Sequence, residues 1–371
     1  MSAFTSIHVT GTDWRDLCDQ VVNRIPGEQP GQLAFIYIAD ELASDTDRIL
    51  DYLRAQSGIS HWAGCVGMGL CSSARETYGE PALSILLTPF ADDEFRIIPA
   101  FEQNPDDWLG ATAAWRERHM ATVAVVHADP GSTRLPALLD SLSSGLQGGF
   151  LLGGIASAES LPVQIADRAT GNGLSGVVFS AGVNISTGLS QGCSLIGRKH
   201  QISDCERNVI ATIDERPALE VFKEDIGEVL ARDLKRVGGY IFAALPIPGS
   251  DTGDYLVRNL IGIDPDQGLL AIGDMLTQGM EIQFARRDAE TARADLKRMI
   301  ENLKARLPGT PRGGLYHSCL GRGRNLFGKD SDEMKLVAEL LGDVPLAGFY
   351  ANGEISHNRL YGYTGVLTLF S

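Results

Sequence analysis

The chain has 371 residues, 32 of them Lys or Arg and 47 Asp or Glu, for a formal net charge of −15 and a hydrophobic content of 44%. This is the balance of a globular chain, and the acidic excess argues against a broad surface for nucleic acid or anionic membrane, since both need clustered Lys and Arg. Glycine stands out at 42 residues, about 11% of the chain against a usual ~7%.

No apolar run approaches the ~18–20 residues that span a bilayer. The N-terminus has no basic stretch ahead of an apolar block, so no signal peptide is expected and the cytoplasm is the expected compartment. Six cysteines, at 18, 65, 71, 193, 205 and 319, lack paired metal spacing and are expected as reduced thiols.

Three strand-like runs, Leu33–Asp40, Thr122–Ala128 and Gly314–Cys319, are each followed by an amphipathic helical stretch. These are Asp45–Gln56, Ser132–Ser143 and Ser331–Leu341, with Asp45, Ser132 and Ser331 as candidate N-caps. A glycine-studded second strand comes next (Trp62–Leu70, Gly149–Ala156, Pro345–Glu354), and then a third (Ala82–Thr88, Gly176–Ala181, Gly365–Phe370). A strand–helix–strand–strand unit therefore occurs three times, which reads as an internal repeat.

The region between Ser190 and Arg312 differs. It predicts an amphipathic helix from Pro217 to Val237 with Gly227 as a candidate break, and short strands at Tyr240–Pro246, Val257–Asp264, Leu269–Asp274 and Met280–Arg286. A long helix, Ala289–Leu307, is ended by Pro308-Gly309. The expected fold class is α+β, with repeated units forming mainly antiparallel mixed sheets covered by helices. Two pseudo-repeated halves are expected, cut as 1–215 and 216–371.

Gly171-Asn-Gly173-Leu-Ser-Gly176 matches the dinucleotide fingerprint in letters, but a strand follows it where a helix is required, so it reads as a turn. No phosphate-binding loop or paired zinc motif is present. His317-Ser-Cys319 offers two ligands where a closed zinc site wants about four, so neither metal nor cofactor is expected. Cys319 has two readings: a nucleophile activated by His317 and Arg322, or a small buried residue at a strand end. His127-Ala-Asp129-Pro-Gly131 reads as an ordinary turn, of interest because it is the counterpart of the Cys319–Gly323 turn.

Gly321-Arg322-Gly323 places a planar guanidinium between two glycines at a strand end. Asn352-Gly353-Glu354 follows another strand. If these ends adjoin, a cation, an amide and a carboxylate surround one pocket suited to a zwitterion.

GGLYHSCLGRGRNLFG and PLAGFYANGEISHNRLYGYTGVLTLF resemble the C-terminal half of the FIST family. GCVGMG, VVHADPG, GGFLLGGIAS, GVVFSAGV and the Pro217–Phe222 segment resemble its N-terminal half. The resemblance implies FIST N-like and FIST C-like domains in a stand-alone bacterial member. It also implies a sensory module that binds a small ligand, such as an amino acid or organic acid, and reports to a separate signalling protein. Carried onto this chain, the motif selects Cys319, Arg322, Gly323, Asn352, Gly353, Glu354 and Tyr363 as ligand-binding residues and assigns no catalytic residue. Two other readings stay open: a hydrolase or transferase using Cys319, and a protein-interaction scaffold that needs no ligand.

Overall fold

Each first strand is apolar on both faces, which suits it to the middle of a covered sheet. In Leu33–Ala39 every residue is buried. Ala34, Ile36 and Ile38 face the helices, while Leu33, Phe35 and Tyr37 face the other way, into a core shared by all three copies of the repeat. A computed structural model describes residues 3–26, 32–247 and 255–371.

The three copies build three six-stranded sheets on one plan. First and second strands pair in parallel: Leu33–Ala39 with His61–Gly67, Val123–Ala128 with Phe150–Ile155, and Gly313–Cys319 with Leu346–Ala351. The third strands, Ala82–Leu87, Leu174–Phe179 and Gly365–Phe370, pair antiparallel on the other side. Outside them lie Thr5–Thr10, Phe95–Phe101 and Ile185–Ser190.

Each sheet is then completed by a hairpin from a different copy. The hairpin of Gly69–Ser72 and Arg75–Tyr78 leaves the first copy for the third copy's sheet. That of Glu354–His357 and Arg359–Tyr361 leaves the third for the second. That of Gln164–Ala166 and Ala169–Thr170 leaves the second for the first. The exchange closes a cycle, so no copy completes a sheet with its own strands.

These sheets form one compact unit, Met1–Gln191 with Arg293–Ser371, and Gly192–Ala292 form another. Two copies of the repeat thus precede the second unit in the chain and one follows it. The second unit is an antiparallel barrel, running Cys193–Glu206, Glu281–Arg287, Ile241–Pro246, Tyr255–Asp264, Leu269–Ile272 and Val209–Ile213, and closing where the last strand pairs with the first. Helix Ala218–Ile226 contributes Leu219, Val221 and Phe222 to its core. Gly227, at φ 80°, breaks the predicted longer helix.

The fold class is α+β, as the patterning indicates. Gly171–Gly176 is a turn into a strand, with Asn172 at φ 64° and Gly173 at φ 72°. The expected caps differ from the structure. Asp45 caps no backbone N–H of its helix and instead pairs with the Arg48 guanidinium, the second helix starts only at Leu135, and Ser331 adopts φ 58°. The Ser331 hydroxyl instead accepts from the backbone N–H of Glu76, and a Glu76 carboxylate oxygen accepts from Met334 N–H in the first turn of helix Asp332–Leu341. A hairpin donated by the first copy thus caps a helix of the third.

The axis of the three copies is marked by side chains at equivalent positions. Strand pairing aligns Tyr37, His127 and His317, opposite Ser84, Ser175 and Val366 respectively. All three are fully buried, with ring centroids 5.6, 5.8 and 5.9 Å apart. The Tyr37 hydroxyl lies 2.8 Å from His317 Nε2 and 3.4 Å from His127 Nε2. One hydroxyl can donate to one imidazole and accept from the other, which requires opposite tautomers. Burial pushes His317 down to about 3 and His127 well below its ordinary value, so both stay neutral.

Tyr37→Phe removes the hydroxyl that lies between the two imidazoles and is expected to cost about 1–3 kcal/mol, the penalty for a stranded buried polar group. Urea unfolding measures it; an unchanged midpoint would show that the hydroxyl contributes nothing.

Candidate functional site

The third copy carries most of the charged chemistry. Gly313–Cys319 ends in a turn whose Arg322 is fully buried. Its Nε donates to Glu333 Oε1 at 2.8 Å, and Glu333 is fully buried too. Glu333 also accepts from the Tyr316 hydroxyl at 2.7 Å, from the Ser318 hydroxyl at 3.1 and 3.2 Å, and from Gly323 N–H at 2.8 Å. A carboxylate with this many donors compensates a buried guanidinium, which would otherwise be prohibitive to desolvate.

This corrects the expectation for Arg322 and Gly323. The guanidinium is not open to a ligand, because Glu333 takes its Nε, Ser190 and the Tyr316 hydroxyl accept from its terminal nitrogens at 3.4–3.5 Å, and Phe327 stacks over it at 5.0 Å. Gly323 is there for packing: at φ 47°, a Cβ would sit 2.1 Å from the Tyr78 hydroxyl. Glu333 was invisible as a partner because an acid in a first helical turn is ordinary. One signal was present: Glu333 lies on the same helical face as Val337 and Leu341, both buried.

The other expected residues gather at the neighbouring strand ends. Glu354, on the exchanged hairpin, is fully buried. One of its oxygens accepts from Thr364 N–H at 3.0 Å and from the Thr364 hydroxyl at 2.7 Å, while Oε1 has no N–H or O–H partner among the described residues. The carboxyl group's further contact is the Cys319 thiol, a weak donor. Burial pushes its pKa up to about 8 against the lowering effect of the two Thr364 bonds, so it is mostly a neutral acid near neutral pH.

Cys319 is half-buried and borders Glu354. Burial, then the Glu354 charge, push its thiol up, while the backbone N–H groups of Gly321 and Tyr363 are directed at the sulfur and favour its anion. The resting thiol is therefore not the low-pKa nucleophile that a cysteine hydrolase uses. His317, neutral beside Tyr37, does not activate it, and Arg322, held by Glu333, supplies only the smallest of the effects that favour its anion.

Tyr363 sits at φ 62°, a conformation bulky side chains avoid. Its ring lies where Gly321 has no Cβ, which would come within 3.0 Å of it. The backbone of Asn352 and Gly353 is tied to Ile155, with Asn352 N–H donating to the Ile155 carbonyl at 3.0 Å and Gly353 accepting from Ile155 N–H at 2.9 Å. The Asn352 side chain is exposed.

Of the seven expected residues, the structure thus groups Cys319, Glu354 and Tyr363 around one strand end, leaves Asn352 and Gly353 at its margin, and assigns Arg322 and Gly323 to the buried ion pair. Cys319 belongs to the third copy's sheet and Glu354 to the second's, so the site joins two sheets. Among the described residues no cluster of three or more His, Cys, Asp or Glu is arranged to hold a metal ion, and no helix is long and apolar enough to cross a membrane.

Comparison with known proteins matches residues 32–216 to the FIST N domain and 218–357 to the FIST C domain. An uncharacterized protein of Mycobacterium tuberculosis strain H37Rv is 32% identical over 346 positions, covering 88% of each chain. An uncharacterized protein of Mycobacterium bovis is 29% identical over 381 positions, covering 97% of each.

Proposed function

We propose a function from one premise: this chain belongs to the FIST family, whose domains serve sensing and signal transduction. The chain reads a small polar metabolite at the Cys319–Glu354 strand end, without turnover, and passes its state to a separate signalling protein.

One observation carries this reading. Glu354 is fully buried, yet among the described residues one carboxyl oxygen has no N–H or O–H partner, with only the weak Cys319 thiol donor beside the group at a half-exposed strand end. A buried polar group left bare costs free energy, and a ligand that completes it recovers that cost. As a neutral acid, Glu354 is a donor, so the fitting ligand presents an acceptor oxygen. An organic acid or the carboxylate of an amino acid has that chemistry. Tyr363, held over Gly321 in a strained conformation, is the group that would move to admit it. Because Cys319 and Glu354 belong to different sheets, occupancy would bias how those sheets meet at this point.

Thermal unfolding against a panel of amino acids and organic acids tests the reading. A ligand at about a hundred times its Kd stabilises the native state by ~2.7 kcal/mol. Wild type should respond to at least one compound and Glu354→Ala to none. No response in wild type, or an equal response in the variant, removes the assignment.

The same carboxyl predicts a pH dependence. Its folded pKa, about 8, lies above its ordinary value of 4.5. The unfolded chain therefore releases this proton first, and stability falls as pH rises between those values. Glu354→Gln removes the effect, and glutamine fits the geometry, since Gln164 holds the equivalent place in the second copy. The variant should gain stability relative to wild type near pH 8, on the order of 4 kcal/mol, and little near pH 5. A gain that does not change with pH would show that Glu354 is ionised throughout.

A further inference from the structure

The Cys319 turn has a counterpart in the second copy whose equivalence can be checked bond by bond. His127 aligns with His317, so Asp129 aligns with Cys319. Asp129 N–H donates to the Gly173 carbonyl at 2.9 Å, and Cys319 N–H donates to the Thr364 carbonyl at 2.9 Å. The Asp129 carbonyl accepts from Ser132 N–H at 3.2 Å, and that of Cys319 from Arg322 N–H at 2.8 Å. Asn172 at φ 64° matches Tyr363 at φ 62°.

What fills the two turns differs. In the second copy, the Asp129 carboxylate accepts from Gly131 N–H at 2.6 Å and from Asn172 N–H at 2.8 Å. In the third, the equivalent N–H groups, of Gly321 and Tyr363, are directed at the Cys319 sulfur. The nest that holds an anion in one copy thus holds a thiol in the other. The neighbouring position changes in step. Gln164 pairs opposite Cys65 and is buried, while Glu354 pairs opposite Gly154 and is buried with one oxygen lacking an N–H or O–H partner among the described residues and the Cys319 thiol beside it. One copy has an acid beside an amide, and the other a thiol beside an acid.

We propose that Cys319 is an oxidation site: peroxide converts its thiol to a sulfinate, which the N–H groups of Gly321 and Tyr363 hold as their counterparts hold the carboxylate of Asp129. In the first step sulfur attacks a peroxide oxygen, the O–O bond breaks, and the departing oxygen leaves as water with the thiol proton. Sulfur is oxidised by two electrons and peroxide reduced by two, giving the sulfenic acid. A second peroxide adds a second oxygen in the same way, and the sulfinic acid ionises, its proton passing to solvent. The product is a pair of oxygens on one pyramidal sulfur in place of the planar carboxylate pair, beside a protonated Glu354 that stands where Gln164 stands.

The resting thiol reacts slowly, because burial raises it, and the distinguishing property is what the product gains. Of the other cysteines, Cys18, Cys65, Cys71 and Cys193 are buried, and Cys205, half-buried on the barrel, has no repeat counterpart. This inference does not rest on the ligand reading, since it is scored with no metabolite present.

The test treats the full chain with hydrogen peroxide above neutral pH, and locates oxygen by peptide mass spectrometry before thermal unfolding. Cys319 should carry two added oxygens, and the treated protein should unfold at a higher temperature than the untreated one, a rise absent in Cys319→Ala. Oxidation at Cys205 with Cys319 left reduced overturns the proposal, as does an oxidised Cys319 with an unchanged or lower unfolding temperature. The double variant Cys319→Asp/Glu354→Gln rebuilds the second copy's pair and needs no oxidant. It should be at least as stable as Cys319→Ala/Glu354→Gln, and a lower stability would show that this nest does not hold an anion.

Discussion

Arg322→Ala is expected to destabilise the fold by about 3–5 kcal/mol, the cost of leaving a buried carboxylate without its counter-charge. Glu333 would keep the donors from Tyr316, Ser318 and Gly323 but lose its only salt-bridge partner among the described residues. Removing both charges should cost less. Arg322→Met/Glu333→Leu replaces the pair with apolar side chains of similar size, and buried pairs exchanged in this way are often neutral in stability. Denaturant midpoints of the two variants decide the matter: a double variant as unstable as the single would mean that packing, not charge compensation, dominates. A ligand-binding defect in Arg322→Ala would accordingly report a damaged fold.

The second large effect lies in the glycines. Gly64, Gly153 and Gly348 sit opposite Ile36, Val126 and Tyr316, the same register position in each copy. A Cβ on them would stand 1.7, 1.8 and 1.8 Å from the carbonyl oxygens of those residues. No rotamer change relieves a clash with backbone, so the parallel pair would have to separate. Gly153→Ala should lose more than ~4 kcal/mol, in the exceptional range for a single substitution. Gly110→Ala is the contrast. It lies in helix Asp106–His119 with nothing within 4 Å of its Cβ, and alanine there should add up to ~1 kcal/mol. Soluble yield and thermal midpoint separate the two; a mild effect at Gly153 would show that the strands tolerate spreading.

Three of the 42 glycines thus have one cause in the repeat. Three first-and-second strand pairs approach so closely that no side chain fits between a carbonyl and its neighbour. The repeat itself was legible, because apolar strands, amphipathic helices and glycine-bearing second strands recur in the same order, and each of these is a local pattern. The barrel strands and the break at Gly227 were legible for the same reason.

The pairing of Arg322 was not legible. Sequence places Arg322 near Glu354 by strand-end adjacency, but the helix start at Asp332 brings Glu333 closer, and a buried guanidinium takes the carboxylate that can reach it with good geometry. The hairpin exchange was also hidden, since which sheet edge a short strand completes depends on the position of all three copies. By itself the sequence determined the repeating unit, the α+β class and the family, and of the seven residues it singled out only Cys319, Glu354 and Tyr363 meet around one strand end. Only tertiary structure decided which charges are spent on one another and which polar atom is left bare, because hydrogen-bond partners are set by distance in space and not by spacing along the chain.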